Sequence, residues 1–230
     1  ITENIRFLIT HDERSNILLP ILCELYRQYP QVKFKSIKMS KDAILNDIQT
    51  GYENLGFLYR HVVENNVINW FNEGDLEFMP LFRREMIVQM HKDFPLATYK
   101  TLSIKTLKDI PIIIYHPSDS DNYSMQDVLC LYFTPDNIIY EDNVMLITQM
   151  LFSGMGASFT INSPLKNLET TNMLPGYENI VNISLKEKIE CEYGVVYRKN
   201  YHFTASEKNF LEYIKKYLLR NEIYEINCPF

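Results

Sequence analysis

The sequence predicts an α/β fold divided into two lobes. Short apolar runs alternate along the chain with stretches whose apolar residues recur at helical spacing, which is typical of parallel strands joined by helices. The order of strand, polar turn and helix begins twice, at Ile5 and again at Pro111. The length of 230 residues also fits two lobes of roughly 100 residues each.

The first predicted unit is a buried strand followed by a helix. Ile5–Ile9 is an apolar run, and a polar cluster separates it from a helix predicted over Ile17–Tyr29. Leucine and tyrosine side chains recur at helical spacing in that segment, and Pro30 ends it. Val32–Ile37 is the second predicted strand.

The next unit repeats this order. Ser40 is a good N-cap for a helix with an apolar face, and Gly51 stands where a glycine commonly follows the last helical turn. Leu55–Tyr59 is then the third strand. A β-α-β-α-β beginning implies parallel strands with right-handed crossovers.

The second part of the chain follows the same pattern. Asn65–Pro80 and Ser163–Lys188 are predicted to be irregular, and Asn143 is a candidate N-cap. A ligand would lie between the lobes, at the carboxyl ends of the strands. The remaining predicted elements are the strands Glu85–His91, Pro111–Tyr115, Ile138–Glu141, Ala157–Ile161 and Glu190–Tyr197, and the helices Ser103–Lys108, Tyr123–Phe133, Val144–Ser153 and Ala205–Arg220.

Glycine content and charge exclude two classes of function. The 7 glycines are about half of what average usage of roughly 7% supplies. Neither GxGxxG nor GxxxxGK[ST] occurs, so a glycine-rich phosphate cradle is excluded. With 23 basic and 29 acidic residues the net charge is −6, which makes the chain by itself a poor binder of nucleic acid.

Cysteine spacing and hydropathy indicate the compartment. Cys23, Cys130, Cys191 and Cys228 are far apart and read as reduced thiols, which favours a cytoplasmic location. No stretch approaches the ~18 consecutive apolar residues of a membrane span, so we expect no membrane partner. The sequence begins at Ile1, and we expect it to be a piece of a longer protein whose own N-terminus is missing.

The order of these signals resembles the effector-binding domain of LysR-type bacterial transcriptional regulators, over essentially the whole chain. Two departures are visible: one residue is inserted between Ile9 and Leu18, and Asn162 replaces the proline that the family usually has after the SGMGASF-like strand. The segments that carry the resemblance are IRFLIT, LLPILCELYRQYPQV, ILNDIQTGYENLGFLY, REMIVQMHKDFPLA, LKDIPIII, NVMLITQMLFSGMGASF and FLEYIKKYL.

The resemblance implies a type 2 periplasmic binding protein-like fold, with two Rossmann-like lobes joined by two crossover strands. Residues 1–84 with 195–230 would form lobe I, and residues 85–194 would form lobe II. A small-molecule effector would bind in the cleft and shift the lobes between conformers. DNA would be bound only by an N-terminal winged helix-turn-helix, which is absent from this chain. A homodimer or homotetramer is expected, with helices Ile17–Tyr29 and Tyr123–Phe133 in the contact.

Eight residues at strand ends are candidate ligand contacts. Thr10 holds the place of the Ser or Thr that contacts the effector in the resembled family, and the other residues belong to the same rim or to the matching turns of lobe II. For Thr10 and Asn143 a purely structural capping role is the alternative. The eight residues are Thr10, His11, Met39, Ser40, Ser118, Ser120, Asn143 and Thr160.

Catalysis, metal binding and cofactor binding are not predicted. No GxSxG elbow is present, and the five histidines show neither HxxxH nor HExxH spacing. Two alternatives remain open at this stage. One is an extracytoplasmic solute-binding protein of a transporter, which would need an export signal. The other is an enzyme on the same bilobal fold, which would need an acid, base or nucleophile in the cleft.

Overall fold

The computed structural model describes residues 4–10, 18–63, 66–67, 75–116, 124–162 and 176–221. The candidate residues His11, Ser118 and Ser120 lie outside these ranges. The strands are β1 (Asn4–Thr10), β2 (Lys33–Met39), β3 (Gly56–Val63), β4 (Asn66–Val67), β5 (Leu76–His91), β6 (Thr101–Leu102), β7 (Ile112–Tyr115), β8 (Ile138–Glu141), β9 (Ala157–Ile161), β10 (Ile180–Leu185) and β11 (Ile189–Arg198). The α-helices are α1 (Leu18–Gln28), α2 (Lys41–Thr50), α3 (Ser124–Cys130), α4 (Val144–Phe152) and α5 (Ala205–Arg220).

The first sheet is built on β1, which pairs in parallel with β2 on one side and β3 on the other. Successive side chains of a strand point to opposite faces. Phe7 packs in the cluster formed with α1 and α5, while Leu8 packs in the cluster formed with α2. Both side chains are fully buried because helices cover both faces of this sheet.

The second sheet repeats this plan, since β7 pairs in parallel with β8 and with β9. Two antiparallel strands, β5 and β11, lie between the sheets, in the order β2-β1-β3-β11-β5-β9-β7-β8. Leu76–Glu85 of β5 pairs with β11, whereas Met86–Met90 pairs with β9. β5 therefore passes from one sheet to the other between Glu85 and Met86.

Two large clusters of buried side chains occur within the described residues. The first is rich in aromatic rings: the Phe7 centroid lies 5.4 Å from that of Phe57 and 5.5 Å from that of Phe210. The second is mainly aliphatic and is built from β5, β7, β9 and α3. Tyr59 and Ile161 pack against both clusters, so they mark the junction between the two sheets.

The predicted α/β class and nearly all predicted elements are confirmed. The predicted caps are confirmed as well, since Ser40 and Asn143 cap α2 and α4, and Gly51 follows α2 with a left-handed φ of 83°. The segment predicted as a helix over Ser103–Lys108 is a 3₁₀ helix over Ile104–Leu107. The division into lobes at 84/85 and 194/195 stays a prediction.

Two segments predicted to be irregular contain strands. Asn65–Pro80 includes β4 and the first residues of β5, which begins at Leu76, and Ser163–Lys188 includes β10. β10 pairs antiparallel with β5, and this long-range pairing defines it as a strand. Its own sequence carries a single fully buried residue, Ile183, and so gives a weak periodic signal.

Pro80 made the start of β5 hard to predict, because proline weakens a strand assignment. The structure accommodates Pro80 at an irregularity: Tyr193 pairs with Phe82, whereas the next residue, Gly194, pairs with Pro80. A Cβ on Gly194 would lie 2.4 Å from the carbonyl oxygen of Met79. Glycine is therefore required where β11 crosses this bulge.

Candidate functional site

The carboxyl ends of β1 and β2 bring three of the predicted residues together. Thr10 and Met39 are partners at the last position of the β1–β2 ladder, and Ser40 follows Met39 directly. Thr10 and Met39 are half-buried, whereas Ser40 is buried. The sequence prediction of a common rim for these three residues therefore has a structural basis, while their contact with a ligand stays a prediction.

Ser40 has a clear structural role. Its Oγ accepts a hydrogen bond of 3.2 Å from the backbone N–H of Ala43, and its carbonyl oxygen accepts from the N–H of Ile44 at 3.0 Å. These bonds are those of a helix N-cap. The dipole of α2 gives its N-terminal end, and therefore this rim, a partial positive charge.

Lys41 is a residue of this rim that sequence reasoning missed. It is the first residue of α2, and burial lowers its pKa to about 8, while Asp42 and Asp127 act in the opposite direction. Asp127 belongs to α3, so the Lys41 ammonium experiences a charge on the second sheet's side of the molecule. A cation in the first turn of a helix is electrostatically unfavourable, and that unusual placement is the sequence signal that could have revealed it.

Asn143 occupies the matching turn of the second sheet. Its Oδ1 accepts hydrogen bonds from the N–H groups of Met145 at 2.9 Å and Leu146 at 3.3 Å, and its own N–H donates to Glu141 at 2.9 Å. The side chain is exposed but already engaged as a cap. If Asn143 Oδ1 contacted a ligand, it would have to do so while accepting these two backbone hydrogen bonds, or after losing one of them.

Thr160 lies near the carboxyl end of β9, opposite Ile87 of β5, and is half-buried. The next turn contains the family departure at Asn162. Its backbone N–H donates to the carbonyl oxygen of Glu85 at 2.9 Å and so extends the β5–β9 ladder. A proline could not make this bond because it has no N–H. The departure thus adds one link between β9 and the strand that joins the sheets.

A charged cluster on the crossover strands was also missed. Glu192 of β11 faces Arg60 of β3 and Arg83 of β5, and the Glu192 side chain is 3% exposed. Arg60 Nε lies 2.6 Å from Glu192 Oε2, and Arg83 Nε lies 2.9 Å from Oε1. Arg83 also lies 3.7 Å from Glu190. This cluster ties three strands together where the sheets join.

Comparison with known proteins identifies the family. The family model described as "LysR substrate binding domain" matches residues 3–219. The chain belongs to this family. No curated protein matches the sequence.

Solved structures agree on the fold of this LysR substrate-binding domain. The effector-binding domain of QuiR, in complex with shikimate, has a TM-score of 0.72 at 16% identity and covers 96% of this chain and 99% of that chain. The BenM effector-binding domain with benzoate has a TM-score of 0.72 at 16% identity, covering 97% and 96%. The Synechocystis PCC6803 CcmR regulatory domain, in complex with 2-PG, has a TM-score of 0.72 at 16% identity, covering 93% and 96%.

Within the described ranges, no group of three or more His, Cys, Asp or Glu side chains is placed to hold a metal ion. No helix in the same ranges is long and apolar enough to cross a membrane.

Proposed function

We propose that the chain is the effector-binding and oligomerising domain of a LysR-type transcriptional regulator. The family match over residues 3–219 carries this proposal and favours it over the transporter alternative. Lobe I would be 1–84 with 195–230, and lobe II 85–194. An effector between them would change their relative position through β5 and β11, the strands shared by both cores. This is hinge closure by population shift.

The effector is proposed to be a small anion. Lys41 lies at the N-terminus of α2, where its positive charge adds to the partial positive charge of the helix dipole. Burial disfavours the charged ammonium and so lowers the pKa of Lys41, and a bound carboxylate would offset this effect. Shikimate and benzoate, named for QuiR and BenM, are both carboxylates.

A thermal-shift series tests this effector class. Benzoate and shikimate are compared with neutral benzamide on the wild type, because a ligand that binds only the folded state raises Tm. We expect a carboxylate to raise Tm in the wild type and in Lys41→Arg, but less in Lys41→Met and Thr10→Ala. Lys208→Met, on the exposed side of α5, is the matched control. Equal stabilisation by benzamide, or an unchanged response of Lys41→Met, would contradict an anionic effector.

The domain is proposed to form a homodimer through opposite ends of the strand order. The edge strand β2 exposes Lys33, Lys35 and Lys38, whereas Glu141 and Asp142 lie at the end of the other edge strand, β8. A two-fold axis would place each basic edge against the acidic edge of the other copy. Such an interface is closed and self-complementary. A homotetramer would need a further contact.

The oligomeric state is measured by analytical ultracentrifugation. We expect a dimer that Lys35→Glu weakens and that Glu141→Lys, added to Lys35→Glu, partly restores. Lys208→Glu makes the same charge change on the exposed side of α5, outside the proposed edges, and should leave the dimer intact. A monomeric wild type at all concentrations would rule out this interface.

The remaining functional assignments follow from the family. DNA binding is proposed to reside only in a winged helix-turn-helix outside this chain, and the location is proposed to be cytoplasmic. The family is a regulatory one, and we propose that the domain has no enzymatic activity. Consumption of a stabilising ligand during prolonged incubation with the protein, followed by chromatography, would contradict this.

A further inference from the structure

One arginine joins the end of a crossover strand to the helix that borders the candidate site. Arg198 is the last residue of β11, and its guanidinium reaches the last turn of α2, 150 residues earlier in the chain. Nη1 donates to the carbonyl oxygens of Ile48 at 2.9 Å and Glu53 at 3.1 Å, and Nη2 donates to Asn54 Oδ1 at 2.9 Å. A single side chain thus holds both the end of α2 and the turn that leads into β3.

The surroundings of Arg198 hold its guanidinium in place. A Cβ on Gly51 would lie 3.2 Å from Arg198 Nη1, so glycine after α2 leaves room for this side chain. On another side, Arg198 Cζ lies 5.3 Å from the ring centroid of Tyr201, whose hydroxyl donates to Glu207 at 3.0 Å. Glu207 belongs to the capping box of α5. The guanidinium is therefore fixed between the end of α2 and the segment that begins α5, and its charge is favourable at the C-terminal end of α2.

The apolar side of α2 packs against the same crossover strand. Ile44 and Ile48 lie with Val196 of β11 in one buried cluster. The contact is close, since a Cβ on Gly56 would lie 2.5 Å from Ile44 and 2.9 Å from Val196. Apolar packing is non-directional, whereas hydrogen bonds depend on distance and angle. We therefore assign to the packing the contact between α2 and β11, and to Arg198 the position of α2 along its own axis.

The opposite end of α2 borders the candidate site. With 10 residues, α2 is about 15 Å long, and Ser40 and Lys41 stand at its N-terminal end. We propose that Arg198 is a positioning residue of the candidate site: by holding α2 to β11 it sets where Ser40 and Lys41 lie on the rim, an inference that rests on the proposed effector function. A movement of β11 reaches the rim through Arg198, and by reciprocity an effector on the rim acts on β11.

The titration of Lys41 tests the proposal without any ligand. Burial lowers the pKa of Lys41 to about 8, while Asp42 and Asp127, unchanged in every variant, act in the opposite direction. Release of α2 would expose the ammonium to water, so we expect Arg198→Met to raise this pKa toward its ordinary value of 10.5. Nuclear magnetic resonance of ¹³C-labelled lysines follows the titration, and Lys41→Arg identifies the signal by its absence.

Three further variants separate the hydrogen bonds of Arg198 from its charge and from stability. Arg198→Lys keeps the charge but lacks the planar fork, so it should also raise the Lys41 pKa. Arg220→Met removes a guanidinium that bonds Glu24 at the end of α5, and it should leave this pKa unchanged. Asn54→Ala removes one of the three bonds of Arg198 and should raise the pKa by less, which provides a milder variant if Arg198→Met fails to fold.

Calorimetric titration with benzoate connects the position of α2 to binding. We expect Arg198→Met to weaken benzoate affinity about two- to thirtyfold, and Arg220→Met to leave it unchanged. An unchanged Lys41 pKa in Arg198→Met and Asn54→Ala, full rescue by Arg198→Lys, or a raised pKa with unchanged benzoate affinity would each overturn the positioning role. A raised pKa in Arg198→Met, combined with a wild type that binds no carboxylate, would overturn the anionic effector and leave the structural link from Arg198 to Lys41 intact.

Discussion

The two sheets share one topology but are filled differently. In the first sheet, Phe7, Phe57 and Phe210 stack and pack edge to face beneath the long helix α5. The second sheet is covered by the shorter helices α3 and α4 and by a mainly aliphatic core. The common strand order places the carboxyl ends of both sheets in equivalent positions. The larger aromatic side chains pack the core of the first sheet more heavily than the aliphatic side chains pack the core of the second sheet.

The largest expected effect tests this difference in packing. Phe210→Ala removes a fully buried ring that lies 5.5 Å from Phe7 and 6.2 Å from Phe57. We expect a loss of about 4–5 kcal/mol in the free energy of unfolding, from the cavity and from the lost ring contacts. Ile114→Ala in the second core should cost less, about 2–4 kcal/mol.

Chemical denaturation measures both variants. Leu219→Ala, on the exposed side of α5, is the control and should change stability by less than about 0.5 kcal/mol. If Ile114→Ala cost as much as Phe210→Ala, the proposed difference between the two cores would be wrong.

The next effect concerns the junction between the sheets. Glu192→Ala leaves Arg60 and Arg83 without the buried carboxylate that they share. We expect a loss of about 2–3 kcal/mol, below the full value for a buried pair because the Arg83 side chain is 31% exposed. Denaturation followed with two probes, one in each core, should show whether the two sheets unfold separately in this variant. A loss of stability below about 0.5 kcal/mol would contradict a structural role for Glu192.

We expect Lys41 to cause two pH dependences of opposite sign, one of stability and one of ligand affinity. Its pKa falls from 10.5 to about 8 on folding, so between these values the unfolded chain binds more protons and the Lys41 contribution to stability rises with pH. Affinity for a carboxylate should instead fall, roughly tenfold from pH 7 to pH 9, as the ammonium loses its charge.

Calorimetric titration of benzoate at the two pH values measures this change. Lys41→Arg stays charged over the whole range and should show no comparable fall. An equal fall in the benzoate affinity of Lys41→Arg would show that a different titratable group causes the pH dependence.

The smallest expected losses of stability come from removing the two helix caps. Ser40→Ala and Asn143→Ala each remove a cap and should cost about 1 kcal/mol, whereas Ser40→Gly should cost only a few tenths. Because Ser40→Gly removes the hydroxyl but nearly preserves stability, benzoate affinity in this variant reports on ligand contact alone. Unchanged affinity would limit Ser40 to its capping role.

Local signals were sufficient for most elements. The strand patterns around Ile112–Tyr115 and Ala157–Ile161 and the caps Ser40 and Asn143 depend on near neighbours in sequence, so they could be predicted. β10 could not be predicted in the same way. It is defined by pairing with β5, about 90 residues earlier, as in the register of Asn182 with Gln89.

The same distinction between local and long-range signals applies to the candidate site. The approach of Thr10 to Met39 follows from parallel pairing of two predictable strands. The environment of Lys41 could not be predicted, because it depends on burial and on Asp127 in a distant helix. The Glu192 cluster likewise required the register of three strands.

The sequence by itself determined the α/β class, the repeated strand–turn–helix order and the residues that cap the helices, because periodicity and capping act over a few residues. Tertiary structure alone decided which charges meet. Glu192 reaches Arg60 and Arg83, and Lys41 is affected by Asp127, only after distant segments pack together. Electrostatic interactions depend on distance and burial, and neither can be read from the order of residues.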